Sequence, residues 1–188
     1  NNQCNAIYQS KDGTIFIGTK YGLNRFDGHE FEWFTEENGQ IHNDVVTDIL
    51  EDEQNMLWLI SEVKLYNITS AIGIDIFDQK SKKARLFKEV FPKAPFAPDD
   101  IINIHAGKTG IIYLQTKNYE WYFFQYDTGF NRLPLDNEFQ WKGSFDHETY
   151  WGILNGNLIH ADKEGNLLHT FQLPANHEVY KLIKGPRV

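Results

Sequence analysis

The chain repeats itself, and the repeat limits its folds more than any other feature. The stretch "VTDILEDEQNMLWLIS" (46–61) lines up position by position with "CNAIYQSKDGTIFIGT" (4–19). Ile49 falls on Ile7, Asn55 on Gly13 and Trp58 on Phe16. "IINIHAGKTGIIYLQT" (101–116) puts Ile104, Gly110 and Tyr113 in the same three places. Each copy continues in a second half: "GLNRFDGHEFEWF" (22–34), "GIDIFDQKSKKARLF" (73–87) and "FFQYDTGFNRL" (123–133). A fourth, weaker copy runs from "QWKGSFDHETYWGIL" (140–154) to "NLIHADKEGNLLHTF" (157–171), with Trp151 in the aromatic place. "VYKLIKG" (179–185) reads as the first strand of a fifth.

Within a copy the apolar residues alternate in short runs bounded by Gly, Asp and Asn, as strands joined by tight turns do. Four such strands form a meander. The aromatic anchors Phe16, Trp58, Tyr113 and Trp151 stand 42, 55 and 38 residues apart, which matches the period of four-stranded β-propeller blades, about 40–50 residues. One four-stranded sheet cannot bury both faces alone, whereas radial stacking covers each sheet with its neighbour. The expected fold is therefore all-β: propeller blades at 3–35, 44–88, 100–134 and 139–172, and the first strand of a further blade at 177–188. The competing fold is a plain antiparallel sandwich or barrel, which does not need the same turn before the same aromatic four times.

A net charge of −8 argues against nucleic acid, whose phosphates call for a basic face, and equally against an acidic membrane surface. The 15% aromatic content suits a strand-rich fold. Cys4 is the single cysteine, so no intrachain disulfide forms. No apolar run approaches the roughly 20 residues of a membrane-spanning helix, so no membrane contact is expected in this segment. The chain does not begin with Met, and we read it as a segment from which a targeting sequence has been removed.

The first copy, "NNQCNAIYQSKDGTIFIGTKYGLNRFDGHEFEWF", resembles the two-component regulator propeller repeat, whose pattern is close to V-x-x-I-x-x-D-x-x-G-x-[IL]-W-[IV]-G-T-x-x-G-[LI]-x-[RK]-[FY]-[DN]. "GT" and "GLNRFDG" match it, Phe16 stands in place of the Trp, and Asp12 lies nearer the Gly than the pattern puts its Asp. The second copy restores the Trp at Trp58 but has Ile60-Ser61 for Gly-Thr, and later copies are degenerate. The resemblance implies the N-terminal part of the periplasmic sensor region of a hybrid two-component system, which responds to a carbohydrate and signals to a downstream histidine kinase. It implies a fragment of a larger propeller. The remaining blades of the same sensor, or a second copy in a homodimer, would then cover its exposed faces.

Propeller topology locates the binding loops. With strands A to D running outward in each blade, the B–C loops and the D-to-next-A loops share one face. The long segments all fall there: 35–44, 62–73, 88–100 and 117–121. Long loops on a rigid scaffold are where binding concentrates. Rings there suit an oligosaccharide, whose apolar C–H face stacks on them. The candidate ligand residues are Tyr66, Tyr119 and Trp121, with Asn118, His42 and Asn43 as polar partners.

No catalytic or cofactor motif is present. The seven histidines show no metal-ligand spacing and read as structural or surface residues. "NIT" at Asn67 matches a glycosylation acceptor that a bacterial sensor would leave idle. "SKDGTIF" is similar to the Asp box of sialidases, a blade turn remote from their chemistry. The chain is thus expected not to be an enzyme. The alternative functions are a protein-interaction propeller scaffold and a fragment of a propeller glycosidase or lyase, for which Glu36, Glu37, Asp99 and Asp100 are the acids on the loop face.

Overall fold

The computed structural model describes residues 3–63, 71–107, 110–135, 138–143, 149–162, 165–174 and Val179. Among them the strands form four antiparallel sheets of four, each with its strands side by side in chain order. The first sheet holds β1 (Cys4–Gln9), β2 (Ile15–Thr19), β3 (Gly22–Phe26) and β4 (Phe31–Phe34). The second holds β5 (Asp48–Glu51), β6 (Met56–Val63), β7 (Ala71–Asp78) and β8 (Lys83–Leu86). The third holds β9 (Ile101–Ala106), β10 (Ile112–Thr116), β11 (Trp121–Gln125) and β12 (Gly129–Leu133). The fourth holds β13 (Gln140–Gly143), β14 (Thr149–Leu154), β15 (Asn157–Asp162) and β16 (Leu167–Gln172). The expected fifth copy lies outside the described residues apart from Val179.

One turn design recurs. Its first residue donates its backbone N–H to the carbonyl of the fifth, and the fourth donates to the carbonyl of the first. This pattern closes the turns 10–14, 52–56, 107–111, 116–120 and 162–166. The fourth position has a left-handed backbone in every case: Gly13, Asn55, Gly110, Tyr119 and Gly165. Glycine adopts that conformation without penalty and asparagine at little cost, whereas a bulky side chain there is an outlier.

Cross-strand register sorts each sheet into two faces. In the first sheet, Phe16 lies opposite Tyr8 and Arg25, and Gly18 opposite Ala6 and Leu23; these rows share one face with Phe34. That face packs on the face of the second sheet carrying Ile49, Leu57, Leu59 and Phe77, and the whole cluster is buried. Each such side chain contributes about 1.5–3 kcal/mol by leaving water. Polar contacts join the same two sheets: Tyr8 Oη donates to Glu51 Oε2 at 2.7 Å, and Lys82 pairs with Glu32. At Gly18 a Cβ would lie 2.8 Å from Val46, so only glycine lets the chain entering β5 pass.

The second sheet's other face carries Trp58, which is fully buried. It is covered by the segment after β8. A one-turn helix, α1 (Phe87–Val90), forms there. Phe87 and Phe91 lie with ring centroids 5.8 and 5.3 Å from that of Trp58.

The opposite face of the first sheet is uncovered among the described residues. It carries Ile7, Ile15, Ile17, Phe26, Phe31 and Trp33, of which Trp33 is 71% and Ile7 70% exposed. By the repeat, Ile7, Ile15, Ile17 and Phe26 occupy the places of Ile49, Leu57, Leu59 and Phe77, which the first sheet buries.

The chain divides into two compact units, 1–102 and 103–188. The first contains the first two sheets. The second contains the third and fourth, apart from the opening two residues of β9. In the second unit Tyr113, Trp121 and Leu133 of the third sheet pack with Tyr150, Ile159 and Ala161 of the fourth, around Phe139. Phe16, Trp58 and Tyr113 are all at most 1% exposed. Trp151 lies on the other face of the fourth sheet from Tyr150, and its ring stacks on His160 at 4.3 Å. Leu167, Leu168 and Phe171 on the outermost strand of that sheet are exposed.

Candidate functional site

A cleft of about 560 Å³ opens within the second unit, between the third and fourth sheets. Strand β9 supplies Asn103 and His105, β10 supplies Gln115, and the following turn and strand supply Tyr119 and Trp121. The fourth sheet contributes Glu138 to Trp141, from β13 and the residues leading into it, and Ile153 to Gly156 at the β14–β15 turn, Leu154 excepted.

Its floor is aromatic. His105 lies 5.4 Å from Trp141 with the rings 7° from parallel, and 6.0 Å from Trp121 at 19°. Trp121 and Trp141 stack at 5.8 Å. Tyr113 and Tyr150 support Trp141 from below, at 4.5 and 5.2 Å. Burial alone holds the His105 imidazole down at about 4, so it is neutral at ordinary pH. Trp121 Nε1 is buried with no hydrogen-bond partner among the described residues.

The polar groups around this floor are mostly carboxamides. Asn103 Nδ2 donates to Gln115 Oε1 at 2.7 Å, and Gln140 and Asn155 also line the cleft. Each carboxamide both donates and accepts, as a hydroxyl-bearing ligand requires. Among the described residues that line it, Glu138 carries the one carboxyl group, and none is Lys or Arg. Tyr119 stands at the rim, 54% exposed, in the left-handed conformation (φ 62°) that Gly or Asn takes in the other four turns of its kind.

The sequence candidates fall in different places. Tyr119 and Trp121 both line the cleft. Asn118 is exposed on the same turn and is not among the lining residues. Tyr66 lies outside the described residues, as does Asn67. His42 and Asn43 belong to the first unit, where each has a local role. The His42 backbone N–H donates to Asp75 Oδ2 at 2.7 Å and its ring Nδ1 lies 3.0 Å from Asp75 Oδ1. Burial raises the Asp75 carboxyl above the usual range against the pull of those contacts. Asn43 Oδ1 accepts the backbone N–H of Val45.

Sequence reasoning missed Asn103, His105, Gln115 and Trp141. One signal was available: Gln115 occupies the place of Gly18 in the repeat, and a polar side chain there faces the neighbouring sheet. Among the described residues no group of three His, Cys, Asp or Glu is placed to hold a metal ion. No helix among them is long and apolar enough to cross a membrane.

Comparison with solved structures settles the architecture. The extracellular domain of the putative one component system BT4673 from B. thetaiotaomicron matches over 99% of this chain and 25% of its own, at 13% identity and a TM-score of 0.64. The virginiamycin B lyase from Staphylococcus aureus matches over 93% of this chain and 58% of its own, at 12% identity and a TM-score of 0.57. The fold is a β-propeller. Its four sheets are propeller blades, and the chain spans about a quarter of one neighbour's length and little more than half of the other's. No protein-family model and no curated protein matches the chain.

Proposed function

We propose that this chain is a ligand-sensing propeller segment of an extracytoplasmic, periplasmic sensor. It responds to a carbohydrate and signals to the histidine kinase region of a hybrid two-component protein. The observation that carries this reading is the cleft of the second unit, an aromatic floor of His105, Trp121 and Trp141 ringed by Asn103, Gln115, Gln140 and Asn155. Clefts that combine aromatic walls with a few convergent polar groups are a usual form of a small-molecule site. The likeness to the BT4673 extracellular domain over nearly the whole chain supports the sensor assignment. The repeat pattern realised in the first two sheets supports it as well. The uncovered face of the first sheet is where we place a further blade of the same sensor, because its residues repeat those that the first sheet covers in the second.

The test is binding of the chain to an array of plant and microbial polysaccharides. The expected result is saturable binding to at least one of them. An array on which nothing binds removes the carbohydrate assignment.

A further inference from the structure

We propose that the cleft between the third and fourth sheets reads a vicinal diol, and that Gln115, held in place by Asn103, is the specificity-determining residue. This rests on the carbohydrate reading above and deepens it, naming sugar residues with two adjacent free hydroxyls as the ligand class.

A row of side chains across the third sheet carries the first argument. Gln115 on β10 and Trp121 on β11 are direct cross-strand partners, so their side chains stand on one face. Asn103 joins the row from β9 through its bond to Gln115. His105 is two residues further along β9 and lies on the same face as Asn103. Its ring runs near-parallel to those of Trp121 and Trp141. Linked carboxamides therefore border a group of flat rings, and all five residues line the cleft. A sugar laid with its C–H face on the rings brings the hydroxyls at its edge to the amides.

Hydrogen-bond capacity is the second argument. The Asn103 amino group donates to Gln115 Oε1, and among the described residues neither side chain makes another hydrogen bond. The Gln115 amino group and the Asn103 carbonyl oxygen are left for other partners, one as a donor and one as an acceptor. A vicinal diol serves both together, because one hydroxyl donates while the oxygen of its neighbour accepts. The place of Gln115 in the repeat agrees. Gly18 and Ile60 hold that place in the first two copies, and Gln115 is only 6% exposed there. A carboxamide at that depth needs its hydrogen bonds supplied. Asn103 supplies one, and the ligand supplies the rest.

The experiment is the polysaccharide array in two forms, native and after periodate oxidation with borohydride reduction. That treatment cleaves vicinal diols and leaves isolated hydroxyls intact. Every polysaccharide bound in native form should be lost after oxidation. Curdlan, a linear β-1,3-glucan whose inner residues have no vicinal diol, should not bind in either form. Oligomers of a bound polysaccharide then titrate the chain, read by tryptophan fluorescence, since Trp121 and Trp141 line the cleft. Gln115→Ile, which installs the residue of the second copy, and Asn103→Ala should each fold as the parent does by circular dichroism. Each should weaken binding by about tenfold. Binding that survives oxidation, or binding of curdlan, overturns the proposal while the carbohydrate reading stands. Affinity that both folded variants leave unchanged overturns it in the same way. A native array on which nothing binds overturns the proposal and the carbohydrate reading together.

Discussion

The indole Nε1 of Trp58 donates to Asp52 Oδ2 across 2.9 Å, with both residues fully buried. The other oxygen of Asp52 accepts the backbone N–H groups of Gln54 and Met56. A single carboxylate thus ties the turn between β5 and β6 to the anchor of the second sheet. The Asp and Trp of the family pattern stand six residues apart, and Asp52 and Trp58 keep that spacing. In the first copy Ser10 occupies the Asp place and Phe16 the Trp place, so neither end of the bond is needed. Asp12 instead accepts the backbone N–H of Thr14.

Replacing either partner removes that bond from a fully buried site. Trp58→Phe should cost about 1.5–3 kcal/mol, because a charge-assisted bond inside the core is lost. Asp52→Ser should cost at least as much, since three N–H donors lose their acceptor. The double variant, which recreates the Ser/Phe pairing of the first copy, should cost less than the sum of the two. A double-mutant cycle by urea denaturation measures this coupling, expected at about 1–3 kcal/mol.

Trp121 is the contrasting case. Its Nε1 is buried without a partner among the described residues, and such a group costs about 1–3 kcal/mol. Trp121→Phe removes that penalty while giving up part of the packing against Phe139 and Trp141. Its expected change in unfolding free energy is within about 1 kcal/mol of zero, well below that of Trp58→Phe in the same assay.

Stability should depend on pH through His105. Its folded value of about 4 lies below the roughly 6.5 of an unfolded histidine. Between those limits the unfolded chain binds a proton that the folded chain does not. The contribution of His105 is therefore complete above about pH 6.5 and is lost as the pH falls toward 4, by up to roughly 3 kcal/mol. Urea midpoints across this window should fall less steeply in His105→Asn. Equal slopes in the two proteins would show that His105 is not the group responsible.

Tyr119→Gly separates stability from binding. Relief of the left-handed strain and the greater freedom of glycine in the unfolded chain oppose each other. The thermal midpoint should hold or rise by the equivalent of about 1 kcal/mol, while saccharide affinity falls. A marked drop in midpoint would mean that the side chain packs for stability.

The uncovered face of the first sheet should be tolerant. Trp33 and Phe31 are 71% and 60% exposed, so Trp33→Lys and Phe31→Lys should alter unfolding free energy by less than about 0.5 kcal/mol. Because exposed apolar patches drive association, the same changes should reduce concentration-dependent light scattering.

Much of this architecture is legible in the sequence, because a repeat registers the same physical demand several times over. The turns before Phe16, Trp58 and Tyr113, and the burial of those three residues, follow from alternation and spacing alone. The helix at Phe87–Val90 escapes such a reading: four residues carry no period, and they are helical because Phe87 and Phe91 cover Trp58. The cleft escapes it for another reason. Tyr119 and Trp121 could be picked from one loop, but His105 and Trp141 meet only because two sheets lie against each other. No local pattern brings residues 36 positions apart to within 5.4 Å.

The equivalence of Ile7, Ile17 and Phe26 with Ile49, Leu59 and Phe77 has a practical consequence for protein engineering. The open face of the first sheet has the shape of a receptacle whose fitting counterpart already exists in the chain, as the face bearing Phe16, Leu23 and Phe34. A designed terminal sheet copying that counterpart on its inner side, and carrying Lys and Glu on its outer side, would act as a cap of the kind repeat proteins use to stay in solution. The blade is then an interchangeable part, and the number of blades becomes a length that can be set at the bench.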